Sequence, residues 1–352
     1  MTFVLNSLPK SALCCSALLL LFCHAVGAQW LRQASGTTVR LRGVSAVSAS
    51  VAWASGDKGT FARTTDGGRT WVAGTVPGAG ELDFRDVDAF DADTAYLLAI
   101  GAGERSRIYK TTDGGRSWVM QFKNSKAAAF FDCMAYWDRD HGIAISDPVE
   151  GRFLVLTTSD GGKSWVESPA AGMPAALPGE GAFAASGTCV AVQGQTRAWF
   201  GTGGPAGARV FRSADRGRTW QVARTALTSG KSAGIFSLTF WDVRHGVAVG
   251  GDYTKEREIG SNVAWTSDGG RTWREAVAAR PNGYRSCVAY VPGTRAPTLV
   301  AVGPSGSDYS SSGGRSWQVL AADGGHSASF TAAGGTGWAV GEGGLILKYA
   351  PP

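Results

Sequence analysis

Apolar and polar residues alternate along this chain in short runs, each cut off by a glycine-rich turn, and the same order of runs and turns returns many times. Arg42–Trp53 lies without a gap on Arg85–Tyr96. Phe131–Asp138 matches Ile235–Asp242 in style, and after each comes a His-Gly pair and an alternating apolar run. Alternation over so few residues predicts strands rather than helices. The unit reads as an inner strand, a turn, an apolar strand ending in glycine, a variable loop, a third strand, a tight turn, and an outer strand led by tryptophan.

The tight turn is the most regular part. TTDGGRTW stands at 64–71, TTDGGRSW at 111–118, TSDGGKSW at 158–165, SADRGRTW at 213–220, TSDGGRTW at 266–273 and a degenerate SSSGGRSW at 310–317. Its aspartates (Asp66, Asp113, Asp160, Asp215, Asp268) can accept bonds from the turn's own amides, and Gly-Gly supplies the positive φ a tight turn needs. The tryptophans that follow (Trp71, Trp118, Trp165, Trp220, Trp273, Trp317) are 47, 47, 55, 53 and 44 residues apart. Repeats of about 40–50 residues with four short strands make propeller blades.

Six turns do not mean six blades. Residues 326–349 supply three more strands, and the chain stops where a seventh turn should begin. The missing outer strand is at the other end, where Trp30-Leu-Arg-Gln precedes Trp71 by 41 residues. The expected fold is therefore all-β: a single seven-bladed β-propeller over 29–352, with the N-terminal strand closing the last blade. Closure leaves no open sheet edge at the seam.

Runs of DGG[RK][ST]W resemble the Asp-box, or bacterial neuraminidase, repeat. A single exported seven-bladed chain of this kind resembles the photosystem II stability/assembly factor-like propellers over nearly all of residues 30–350. That resemblance implies a chaperone-like role, the binding of a membrane-protein assembly intermediate. Sialidases, xyloglucan-cleaving hydrolases and sortilin-type receptor domains share the turn, so the turn alone assigns no activity.

Composition adds the compartment. Lys10 precedes an apolar run from Ala12 to Phe22, and Val26, Gly27 and Ala28 follow. This is the pattern of a signal peptide, residues 1–28, cut near Ala28. It is too short for a membrane span, and bulky Phe22 argues against a lipid anchor at Cys23. The expected location is periplasmic or extracellular. The formal charge of +6 is scattered rather than blocked, which excludes a nucleic-acid footprint. Cys133, Cys189 and Cys287 remain in the exported part, odd in number and each in an apolar stretch, and are expected as small buried hydrophobes.

Catalytic signatures are missing. There is no G-x-S-x-G, H-E-x-x-H or Walker A run, and Gly179–Ala184 fits G-x-G-x-x-A without the βαβ context a dinucleotide needs. His141 and His245 share one turn of two blades, so repeat position explains them. No metal or cofactor is expected. The loops opposite the tight turns vary in length, and variation on one face marks a binding face. That face should carry Asp147, Glu180, Asp252, Tyr253, Tyr284, Arg285, Ser305, Asp308 and Glu342. Arg285 with neighbouring tyrosines suits a carboxylate, a sugar or a peptide terminus. The expected function is a monomeric, non-catalytic scaffold engaging an envelope or extracellular protein or peptide. A glycan-active hydrolase or lectin is the alternative.

Overall fold

The computed structural model describes residues 1–2 and 29–351, so the expected signal segment and its cleavage point lie outside the described residues, Met1 and Thr2 apart. The repeat folds as expected into seven four-stranded antiparallel sheets. Blade 1 is Leu41–Ala46, Ala52–Gly56, Thr60–Thr64 and Val72–Thr75. Blade 2 begins at Asp83–Ala89, blade 3 at Phe131–Tyr136, blade 4 at Val190–Gln193, blade 5 at Ala233–Phe240 and blade 6 at Cys287–Val291. Blade 7 takes Ser327–Phe330, Gly337–Val340 and Ile346–Ala350 from the C-terminal end, and Gln29–Gln33 pairs onto Ile346–Ala350 as its outer strand. Among the described residues no helix is long and apolar enough to cross a membrane.

Inner strands carry the hub. Inner-strand amides face the preceding blade, and short side chains there accept them. Ser45 takes the amide of Ala89 at 3.1 Å, Asp88 that of Tyr136 at 3.1 Å, Ser237 that of Val288 at 2.9 Å and Ser329 that of Ala46 at 3.0 Å. Buried polar groups must be paired, so these bonds satisfy the hub without filling it with large side chains. Between blades the core is aromatic and aliphatic, with Trp53, Trp199 and Trp338 almost wholly buried.

The tight turns close on themselves. In the first, Asp66 accepts from the Thr70 amide at 2.9 Å and the Thr70 hydroxyl at 2.6 Å, while Thr64 donates to it at 2.9 Å and accepts the Gly68 amide at 2.8 Å. The pattern recurs at Asp113, Asp160, Asp215 and Asp268. In the sixth turn the Ser312 hydroxyl takes the amide of Ser316. The glycine before the cation sits at φ +78° to +84° in every turn, which only glycine adopts freely; in the fourth turn Arg216 takes the position of the first glycine.

One expectation is corrected. Cys133 and Cys189 are not separate buried hydrophobes but a disulfide, with Cα atoms 6.0 Å apart. Their sequence separation of 56 is one blade, so the repeat brings them to the same level of adjacent blades. Cys287 stays a buried free thiol.

Carboxyl groups give this fold a signature in pH. The turn hydrogen bonds, that from the Thr70 hydroxyl first, hold Asp66 at about 2, and Ser117 and Ser164 do the same for Asp113 and Asp160. Their contribution is present above the ordinary carboxyl range and lost as pH falls toward 2. Burial does the reverse in blades 2 and 3. It raises Asp88 and Asp147 to about 6 and Asp86 and Asp132 well above the usual value. Those four favour folding most at low pH, and the benefit is lost as pH rises, through about 6 for Asp88 and Asp147. His326, lowered to about 4 by burial first and then by Arg42, opposes them, its contribution being lost as pH falls from 6.5 to 4. With four groups against one, melting temperature should be higher at pH 5 than at pH 7.5 and should fall below pH 3. Melts across that range check this, and a melting temperature climbing steadily from pH 5 to 8 contradicts it.

Candidate functional site

Residues from six blades or their entry loops can meet only on the axis of the ring, and they do so around a cavity of about 440 Å³ on the face opposite the tight turns. Arg42 and Arg85 hold the same position in the inner strands of blades 1 and 2, and Arg40 stands two residues before Arg42. Phe183, from the loop entering blade 4, stacks on Phe236 of blade 5 with centroids 4.0 Å apart, and Tyr284 meets Phe236 edge-on at 4.8 Å. Tyr253 and Glu256 of blade 5 and His326 and Glu342 of blade 7 complete the lining.

The three arginines differ in how they are satisfied. Arg40 donates through Nε to Asp57 at 3.0 Å. Arg85 donates through Nε to Asp83 at 2.8 Å and to the Ala184 carbonyl at 2.7 Å. Arg42 has no carboxylate: it donates to the Ala185 carbonyl at 2.7 Å, and its buried Nε has no partner among the described residues. The residue is 8% exposed. Burial pushes it down to about 10, and the charges of Arg85 and Arg40 push the same way. A guanidinium in this condition is stabilised by an anion, and its planar fork suits a carboxylate. His326 Nε2 lies 2.8 Å from Glu342 Oε1 at the rim.

Of the nine residues expected on this face, Tyr253, Tyr284 and Glu342 line the cavity. The other six do not line it and are held in bonds within the chain. Arg285 is 1% exposed and donates to Asp308 at 2.6 Å, to the Tyr284 carbonyl at 2.8 Å and to Ser305 at 3.1 Å. It therefore has no surface for a partner. Glu180 is buried against Arg209, which donates to it at 2.8 Å, and Thr202, which donates at 2.6 Å. Asp147 accepts the Ala182 amide at 2.9 Å, and Asp252 caps its own turn through Thr254 at 2.9 Å. In both buried pairs, a loop between blades is tied to the third strand of the next blade.

Arg40, Arg42, Arg85, Phe183, Phe236 and His326 were not among the expected site residues. One signal for two of them was present: the ungapped register of Arg42–Trp53 on Arg85–Tyr96 puts an arginine at the same hub position of adjacent blades. Among the described residues, no group of three or more His, Cys, Asp or Glu could hold a metal ion.

No protein-family model and no curated protein matches the chain. Solved structures do. A structure described as YCF48 bound to D1 peptide is 16% identical over 92% of this chain and 97% of its own, at a TM-score of 0.59. YCF48 from Cyanidioschyzon merolae is 16% identical over 92% of this chain and 99% of its own, at 0.65. The GH74 enzyme of Niastella koreensis is 16% identical over 91% of this chain but only 53% of its own, at 0.61. The likeness is one of fold: the chain is a seven-bladed propeller built like YCF48.

Proposed function

We propose that this chain is an exported, non-catalytic binding scaffold whose axial cavity takes an anionic group of a protein segment, foremost the free carboxylate of a peptide terminus. One observation carries the reading: Arg42 is buried at the cavity with an unpartnered Nε and two further arginines beside it. The aromatic wall of Phe183, Phe236 and Tyr284 offers an apolar surface for the side chain next to that carboxylate. A peptide-bound structure of the same fold at similar length supports a peptide as the ligand class. Export, with residues 1–28 as the signal peptide and 29–352 as the mature propeller, is supported by the Cys133–Cys189 disulfide, since such bonds persist in oxidising compartments.

The test is a pair of labelled peptides, identical except for a free or an amidated C-terminus, titrated by anisotropy. The free acids should bind more tightly, and Arg42→Gln should weaken them by about 10- to 100-fold, the value of a hydrogen bond to a charged group, with little effect on the amides. Equal binding of acid and amide by the parent chain refutes the reading.

A carboxylated glycan is the second reading, favoured by the convergence of three arginines, Tyr284 and Glu256 on one cavity. A sialidase-like reaction would need a tyrosine nucleophile. Burial raises Tyr284 above its ordinary value, which disfavours the phenolate, so this reading leans to binding rather than hydrolysis. A glycan array and a fluorogenic sialoside separate the cases.

A further inference from the structure

Every tight turn in blades 1 to 6 sits in a groove with two walls. One wall is the turn between the first two strands of its own blade, whose carbonyl accepts the amide of the turn's first glycine position: Gly67 to Ser50 at 2.9 Å, Gly269 to Arg244 at 2.8 Å and Gly313 to Pro297 at 3.0 Å. The other wall is the preceding blade. In blades 3 to 6 its second strand meets the turn's second glycine position, so that a side chain on Gly217 would crowd Ile143, one on Gly270 would crowd Trp199 and one on Gly314 would strike Val247, while Gly68 meets Gln33 of the outer strand and Gly115 meets Phe61 of the third strand. In the sixth turn the cation that follows the glycines also lands on the preceding blade, with Arg315 lying 4.5 Å over Trp265.

Among the described residues blade 7 has no such turn, because its outer strand, Gln29–Gln33, comes from the other end of the chain. The corresponding place is a groove of about 800 Å³ between blades 6 and 7. Its walls match those of a filled seat at the first turn of its own blade and at the third strand of the preceding one, whereas Val300, the second-strand residue of blade 6, is already buried and does not line the groove. Ser50, Arg244 and Pro297 each stand three residues before the second-strand position of Trp53, Val247 and Val300, and Gly335 stands three before Trp338 and lines the groove. Tyr309 faces Val300 across the sheet as Trp265 faces Val247. Tyr309 also lines the groove, with Val319 beside it 63% exposed, and no charged side chain among its walls.

We propose that this groove is a docking seat for a glycine turn of a partner protein, of the pattern Asp-Gly-Gly-Arg. The first glycine amide would bond the Gly335 carbonyl, and the arginine would lie over Tyr309. The seat is separate from the axial cavity and does not rest on the function proposed for it.

The probe is the peptide Thr-Ser-Asp-Gly-Gly-Arg-Thr, the sequence of residues 266–272, titrated into the full chain and into the chain beginning at Gln29. Saturable binding is expected. It should weaken about tenfold when both glycines become alanine, because left-handed backbone is costly with a Cβ. Tyr309→Ala should weaken it about fivefold through loss of the cation–aromatic contact. Tyr309 is half-buried, so an unchanged melting temperature shows that this variant still folds. No saturable binding, equal binding of glycine and alanine peptides, or indifference to Tyr309→Ala overturns the proposal. Binding to the shorter chain but exclusion by the full chain also overturns it, since the seat then belongs to the residues before Gln29.

Discussion

A chain that starts at Ala34 should not melt where the parent does. Removing Gln29–Gln33 takes the outer strand from blade 7 and with it five residue pairs onto Ile346–Ala350. Trp30 leaves a core where it lies 5.5 Å from Tyr349, and its indole no longer donates to Ser307 of blade 6 at 3.0 Å. Gln33 leaves too, and its side-chain Oε1 accepts the indole N–H of both Trp71 in blade 1 and Trp338 in blade 7, each at 3.0 Å. Both N–H groups then lose their partner, and an unpaired buried donor costs about 1–3 kcal/mol. Trp30→Ala alone should cost about 3–5 kcal/mol, or roughly 10 °C in melting temperature at this chain length. Deleting the strand should cost more and expose the edge of Ile346–Ala350 to aggregation. Scanning calorimetry of both variants checks this, and an unchanged melt would remove the clasp from the account.

The second large effect is at Cys133–Cys189. The bond ties the inner strand of blade 3 to the residue before the inner strand of blade 4, across a sequence separation of 56. Such a closed loop contributes about 2–4 kcal/mol, so the double variant Cys133→Ala, Cys189→Ala should melt clearly below the parent. Thiol titration of the denatured, unreduced chain beginning at Gln29 should count Cys287 alone. Three free thiols would contradict both the bond and the oxidising compartment inferred from it.

How far the sequence reached follows from what each residue depends on. Blade number and ring closure were legible because they are set by local turn chemistry and by Trp30 standing one repeat before Trp71. One blade separates Cys133 from Cys189, but three cysteines in the propeller allow three different pairs, so their pairing is not fixed by spacing alone. Arg285 and Glu180 looked functional because they break the repeat, yet they do so to anchor irregular loops through Asp308 and Arg209. Arg42 looked ordinary because it obeys the repeat. Its importance comes from convergence on the axis, which alternation along one strand does not encode, and from the absence of a carboxylate beside it, which only the packed hub reveals.

The most direct test of the scaffold reading is where a bound peptide protects the chain. Hydrogen exchange should be recorded with and without a peptide that binds through its free carboxylate. Slowed exchange is predicted at Phe183–Ala185, at Tyr253–Glu256 and around Arg42, the segments that meet on the axis. Protection confined to the outer strands or the tight-turn face, with these segments unchanged, would contradict the account.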